Sequence, residues 1–151
     1  MRVLFVCLGN ICRSPLAEGV MLHLNEKLTL GWEIDSAGTA GYHIGEAPDR
    51  RTIANAAKHG VDLKPLRARQ FSTKDFDCFD HILVMDRNNY KNVVQLATTE
   101  EQKTKVKLFL EVGLNQSGAE VPDPYYGTEA DFEKVFQLVW KGCEGLLRIE
   151  S

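Results

Sequence analysis

Long apolar runs are missing from this chain. None approaches the ~20 residues that a membrane-spanning helix needs, and the first residues show no basic leader followed by an apolar segment. Neither membrane spanning nor secretion is therefore expected. An excess of one charge is missing too. With 18 Lys and Arg against 21 Asp and Glu, the formal net charge is −3 and the pI is near 5.8. That balance gives no electrostatic ground for binding nucleic acid or a membrane surface, and Arg50, Arg51, Arg67 and Arg69 read as solvated faces. The four cysteines, Cys7, Cys12, Cys78 and Cys143, have no regular metal spacing; without a leader they read as reduced thiols of a cytoplasmic protein. His23, His43 and His81 stand alone without companion ligands, so no metal site is expected. Internal repeats and low-complexity tracts are absent.

What is present suits one core. The 151 residues, 44% of them hydrophobic, fit a single domain over 1–151. Val3 to Val6 and His81 to Met85 are continuous apolar runs of the kind buried on both faces of a parallel sheet. Trp32 to Ser36 reads as a further strand, and Val106 to Leu110 as another. Between them Leu16, Ala17, Val20, Met21, Leu24 and Leu28 repeat at helical spacing, with Ser14 as the expected N-cap and Pro15 as the first helical residue. Asp49 caps a second helix that closes at His59 and Gly60. Thr128 starts a long last helix, with Phe132, Val135, Phe136, Val139, Trp140, Cys143 and Leu147 on one face. Strands alternating with helices predict an α/β fold, a parallel sheet covered by helices on both faces.

The first strand leads into CLGNICRSP, Cys7 to Pro15. A thiol at a strand end, a glycine, an arginine and a helix start thus fall within one short loop. The free N–H groups of a helix N-terminus favour an anion, and Gly9 is expected to let the backbone curl round it. The same environment favours thiolate over thiol at Cys7. Arg13 offers a planar fork of donors that can hold two phosphoryl oxygens at once. Ser14 can set its hydroxyl against the thiolate and Asn10 can pin the loop. Taken alone, Cys7 would read as core; the full conjunction is far more restrictive and points to thiolate attack on phosphorus. An aryl or alkyl oxygen leaves poorly unless protonated, and Asp123, flanked by Pro122 and Pro124 in a stretch from Gly113 to Gly127 without periodicity, is the candidate acid. Tyr125 and Tyr126 can wall a slot for an aromatic ring.

CLGNICRSP, DSAGT at Asp35 to Thr39 and DPYYG at Asp123 to Gly127 together resemble the low-molecular-weight protein tyrosine phosphatases over essentially the whole chain. The resemblance implies a Rossmann-like or flavodoxin-like four-stranded sheet in the order 2-1-3-4. It implies Cys7 as nucleophile, Arg13 as transition-state clamp and Asp123 as general acid, then base. It implies a phosphate-binding loop of Leu8, Gly9, Asn10, Ile11, Cys12, Arg13 and Ser14, with Asn10, Ser14, Ser36 and His59 as its supporting hydrogen-bond network. By the same resemblance Leu8 and Tyr42 are expected to line the cleft mouth, and Cys12 to pair with Cys7 under oxidation. Expected partners are phosphotyrosine-containing proteins, tyrosine kinases among them, with a phosphate or other oxyanion in the site, no cofactor, and a monomer with weak self-association. Ile11 argues against the related protein-arginine phosphatases, which carry Thr there. Thioredoxin-coupled arsenate reductases share the cradle but need cysteines soon after the third strand, where this chain has none through Leu96. A silent phosphotyrosine-binding module is the remaining alternative.

Overall fold

The apolar runs at Val3–Val6 and Ile82–Val84 are shielded almost completely from solvent, which in a sheet requires cover on both faces. In the computed structural model, which describes residues 1–150, the strands are β1 (Arg2–Cys7), β2 (Glu33–Gly38), β3 (His81–Val84) and β4 (Val106–Leu108). They form one parallel four-stranded sheet in the order β2-β1-β3-β4. The helices are α1 (Arg13–Leu28), α2 (Arg50–Lys58), α3 (Asp75–Cys78), α4 (Arg87–Val94), α5 (Glu100–Thr104), α6 (Phe109–Leu114) and α7 (Glu129–Glu150). None is long and apolar enough to cross a membrane.

The pleat sends alternate residues to opposite faces. Val3, Phe5 and Cys7 join Leu83 and Met85 in a core with α1, α2, α6 and α7. Leu4, Val6, Ile82 and Val84 join Phe76 of α3 and Val93 of α4 in the other. Register pairs Cys7 with Gly38 and Val6 with Val84, so β1, β2 and β3 end together. Loops leaving that edge build the site, as expected where an α/β sheet changes winding direction.

Three expectations need correction. The fourth strand stops at Leu108, and Phe109–Leu114 is helical. This turn lets α6 lie directly against α7, since a Cβ at Gly145 would sit 1.6 Å from the Gly113 carbonyl oxygen. The strand expected at Trp32 to Ser36 runs instead from Glu33 to Gly38, extended by pairing to the full length of β1. The first helix begins at Arg13 with Cys12 at the N-cap and no side-chain cap, because the Ser14 hydroxyl is drawn into contacts with Cys7 and Asn10. The other caps match: Asp49 accepts from the Arg51 N–H at 2.8 Å, and His59 ends α2.

Candidate active site

The loop from Cys7 to Arg13 is strapped at both sides by backbone bonds. Thr39 N–H donates to the Cys7 carbonyl and Ala40 N–H to that of Leu8, each at 2.9 Å, while Asp49 N–H reaches the Ile11 carbonyl at 2.7 Å. The first pair of bonds brings the end of β2 so near that a Cβ at Gly38 would lie 2.9 Å from the Leu8 oxygen. The tight curl is carried not by Gly9 but by Asn10, whose φ of 56° is left-handed, a region asparagine tolerates better than most. Gly9 serves a different need, since a Cβ there would come within 3.2 Å of the His43 ring.

Asn10, Ser14 and Ser36 form one buried chain behind Cys7. Cys7 Sγ lies 3.0 Å from Ser14 Oγ. Asn10 Nδ2 donates to Ser14 Oγ at 2.8 Å and to Ser36 Oγ at 2.9 Å, and Asn10 Oδ1 accepts from the Arg69 N–H at 3.0 Å. Ser36 Oγ donates in turn to Glu18 Oε1 at 2.6 Å. The Arg69 side chain is held by Asp35 and Asp75, which fixes the backbone donor it supplies. His59 stands outside this network. Its Nε2 is 2.7 Å from Glu133 Oε1 and its ring stacks on Phe136 at 3.9 Å, so its role is to join α2 to α7. The bond to His59 is the main reason the Glu133 carboxyl is lowered to about 2, with Gln137 and Asn55 assisting against slight burial. Glu18 and Arg69, singled out by no motif, fill the supporting role expected of His59.

Cys7, Leu8, Gly9, Ile11, Cys12, Arg13, Tyr42, His43, Asp123, Tyr125 and Tyr126 line one cavity of about 260 Å³. Arg13 is 3% exposed; its Nη1 donates to Asp86 Oδ2 at 2.7 Å and to the Val121 carbonyl at 3.0 Å, and its Nη2 is 3.8 Å from Asp123 Oδ2. Burial works against its charge, but Cys7, the bond to Asp86 and Asp123 outweigh it and raise Arg13 above its ordinary value. Asp123 is half-exposed at the mouth, where Oδ1 accepts from the Tyr125 N–H at 3.1 Å. Cys12 is pushed up to about 12, by burial first and Asp49 next, so it is a neutral thiol. Leu8, Tyr42, Tyr125 and Tyr126 are exposed round the mouth, an apolar rim over a polar floor. A larger groove of about 530 Å³, lined by Arg50, Arg51, Lys58, Glu129 and Phe132 among others, has no cysteine in its lining.

Asp86 is the functional neighbour that motif reading missed. Its carboxylate both caps α4, accepting from the Asn89 N–H at 2.8 Å, and grips Arg13. The signal was available: Asp86 and Asn89 form a capping box directly after β3, at the same sheet edge as Cys7.

Comparison with known proteins agrees with this geometry. The family model described as low molecular weight phosphotyrosine protein phosphatase matches residues 2–150. The Gallus gallus protein of that description is 43% identical over 148 residues, covering 96% of this chain and 92% of its own length. The protein tyrosine phosphatase from Entamoeba histolytica, solved with Hepes in its active site, superposes with a TM-score of 0.90 at 38% identity, over 99% of this chain and 97% of that one. Wzb of Vibrio vulnificus, solved with benzylphosphonate, gives 0.85 at 28% identity, over 98% and 97%. A match over nearly the whole chain, on a fold whose sheet edge carries Cys7, Arg13 and Asp123 in one pocket, leads to one conclusion: the chain belongs to the low molecular weight phosphotyrosine protein phosphatases.

Proposed function

We propose that the protein hydrolyses phosphotyrosine on protein substrates through a phosphocysteine intermediate, without a metal, and that it also cleaves small aryl phosphates. One observation carries the reading: Cys7 and Arg13 from one end of the chain and Asp123 from the other line a single cavity.

The chemistry follows from the atoms at hand. The Cys7 thiolate attacks phosphorus opposite the ester oxygen, forming S–P as P–O breaks. Arg13, anchored from behind by Asp86, and the uncapped N–H groups opening α1 hold the equatorial oxygens, whose charge grows in the transition state. Asp123 gives its proton to the departing tyrosyl oxygen. Its carboxylate then takes a proton from water as the water oxygen attacks phosphorus and S–P breaks, which releases phosphate and restores the thiolate. The Ser14 hydroxyl, 3.0 Å from the sulfur, stabilises that thiolate as leaving group.

The aryl preference is supported by the rim of Leu8, Ile11, Tyr42, Tyr125 and Tyr126 and by the benzylphosphonate held by Wzb. In this reading charge neutralisation falls to Arg13 and the backbone N–H groups opening α1. Cys7 and Cys12 share the pocket as free thiols, and reversible pairing under peroxide is part of the same reading, as are a cytoplasmic location and phosphotyrosine proteins, kinases among them, as partners.

The test is a panel of phosphotyrosine, phosphoserine and phosphoarginine peptides, with native and Cys7→Ser protein, in the presence and absence of chelator. Phosphate release from the phosphotyrosine peptide alone, insensitive to chelator and abolished by Cys7→Ser, is expected. Undiminished release by Cys7→Ser, or stable peptide binding without release, contradicts it.

A further inference from the structure

The hydrogens behind Cys7 can be counted. Asn10 has two amide hydrogens and gives one to Ser14 Oγ at 2.8 Å and one to Ser36 Oγ at 2.9 Å. The Arg69 N–H on Asn10 Oδ1 fixes which end of the amide is which. Ser14 therefore accepts from Asn10, and its only hydrogen goes to Cys7 Sγ at 3.0 Å; the competing Ala37 carbonyl is 3.5 Å away. Ser36 also accepts from Asn10, and its only hydrogen goes to Glu18 Oε1 at 2.6 Å. Glu18 lies in the second turn of α1 and is 8% exposed. Two charges bear on it, Asp35 of β2, which opposes its ionisation, and Arg69, which favours it and is itself shared between Asp35 and Asp75.

We infer that Glu18 is a positioning residue for the nucleophile: it anchors the far end of a Ser36–Asn10–Ser14 chain whose near end holds the Cys7 sulfur. This rests on the reading of Cys7 as nucleophile. A carboxylate or a carboxylic C=O at Oε1 can take the Ser36 hydrogen, so the chain holds in both states. Burial pushes the Glu18 carboxyl from 4.5 up to about 7 against the opposing Ser36 bond, with Asp35 raising it further and Arg69 lowering it. Its charge thus changes near neutrality.

The test is iodoacetate alkylation of Cys7, followed residue by residue by mass analysis from about pH 5 to 9, beside kcat and KM on an aryl phosphate. E18Q keeps an acceptor for the Ser36 hydroxyl and should alkylate at close to the wild-type rate across this range. E18A should slow alkylation and lower kcat about tenfold with little change in KM, and E18Q should recover most of that loss. S36A cuts the same link with less loss of packing and should reproduce E18A. Curves for E18A and S36A that superimpose on wild type, or an E18Q as impaired as E18A, overturn the inference. Alkylation needs no turnover, so an inert ester with these rate changes intact counts against the proposed hydrolysis and not against the role of Glu18.

Discussion

Arg13 is held so that its guanidinium has one orientation to offer. Asp86 and the Val121 carbonyl take both hydrogens of Nη1, and Nη2 is left towards Asp123 and the cavity. A lysine has no second arm, so it can meet either Asp86 or a phosphoryl oxygen. Arg13→Lys is therefore expected to lower kcat on an aryl phosphate by about a hundredfold or more while the fold survives, measured by steady-state kinetics with thermal melting as control. Loss of less than about threefold would show that the backbone N–H groups carry the oxyanion alone. At this scale the residues legible in the sequence were those whose chemistry is local. Cys7, Asn10, Arg13 and Ser14 lie in one loop and announce their use by spacing. Glu18, Arg69 and Asp86 do not, because each reaches the site through a contact that only the fold creates, Asp86 across 73 residues. His59 misled for the complementary reason: nothing in its neighbours reveals that Glu133 will claim it from 74 residues away.

Among the elements, the apolar runs at β1 and β3 were legible because a strand buried on both faces needs no polar alternation. The short helices were not. α5 buries no residue at all, and α6 owes its position to the bare backbone at Gly113 and Gly145, a packing fact with no periodicity to betray it. One cross-element contact bears directly on catalysis. Asp49, bonded to the Ile11 carbonyl, pairs with Arg51 at 2.9 Å, and the Arg51 guanidinium lies 4.6 Å from the Phe132 ring and 5.4 Å from that of Tyr125. Through it α2 ties the Cys7–Arg13 loop to α7 and to the segment carrying Asp123. Arg51→Ala should therefore lower kcat severalfold for aryl phosphates with poor leaving groups and hardly at all for good ones, since only the former depend on a well-placed acid. Equal losses across a leaving-group series, or a matching fall in phosphate affinity, would place the effect on the loop instead.

For the whole molecule the buried acid of the site also costs stability. The Glu18 carboxyl moves from 4.5 to about 7 on folding, so the folded state binds the proton more tightly and its advantage, whole below about pH 4.5, is lost as pH rises to about 7. The shift corresponds to about 3 kcal/mol. Glu133 acts outside this window and in the opposite sense, its contribution failing as pH falls from about 4.5 towards 2. Urea midpoints should drop between about pH 5 and pH 8 in wild type and stay nearly level in E18Q; parallel midpoints in the two proteins would show that Glu18 is not the group responsible. The fold's larger consequence is that it brings Asp123 into the cavity lined by Cys7. The most direct test of that pairing is acid-quenched mass analysis of the protein mixed with an aryl phosphate bearing a good leaving group. A phosphoryl adduct on Cys7, which accumulates further in Asp123→Ala because water is no longer activated, is the predicted result. Turnover with no adduct on Cys7 in either protein, or an adduct on another residue, would contradict it.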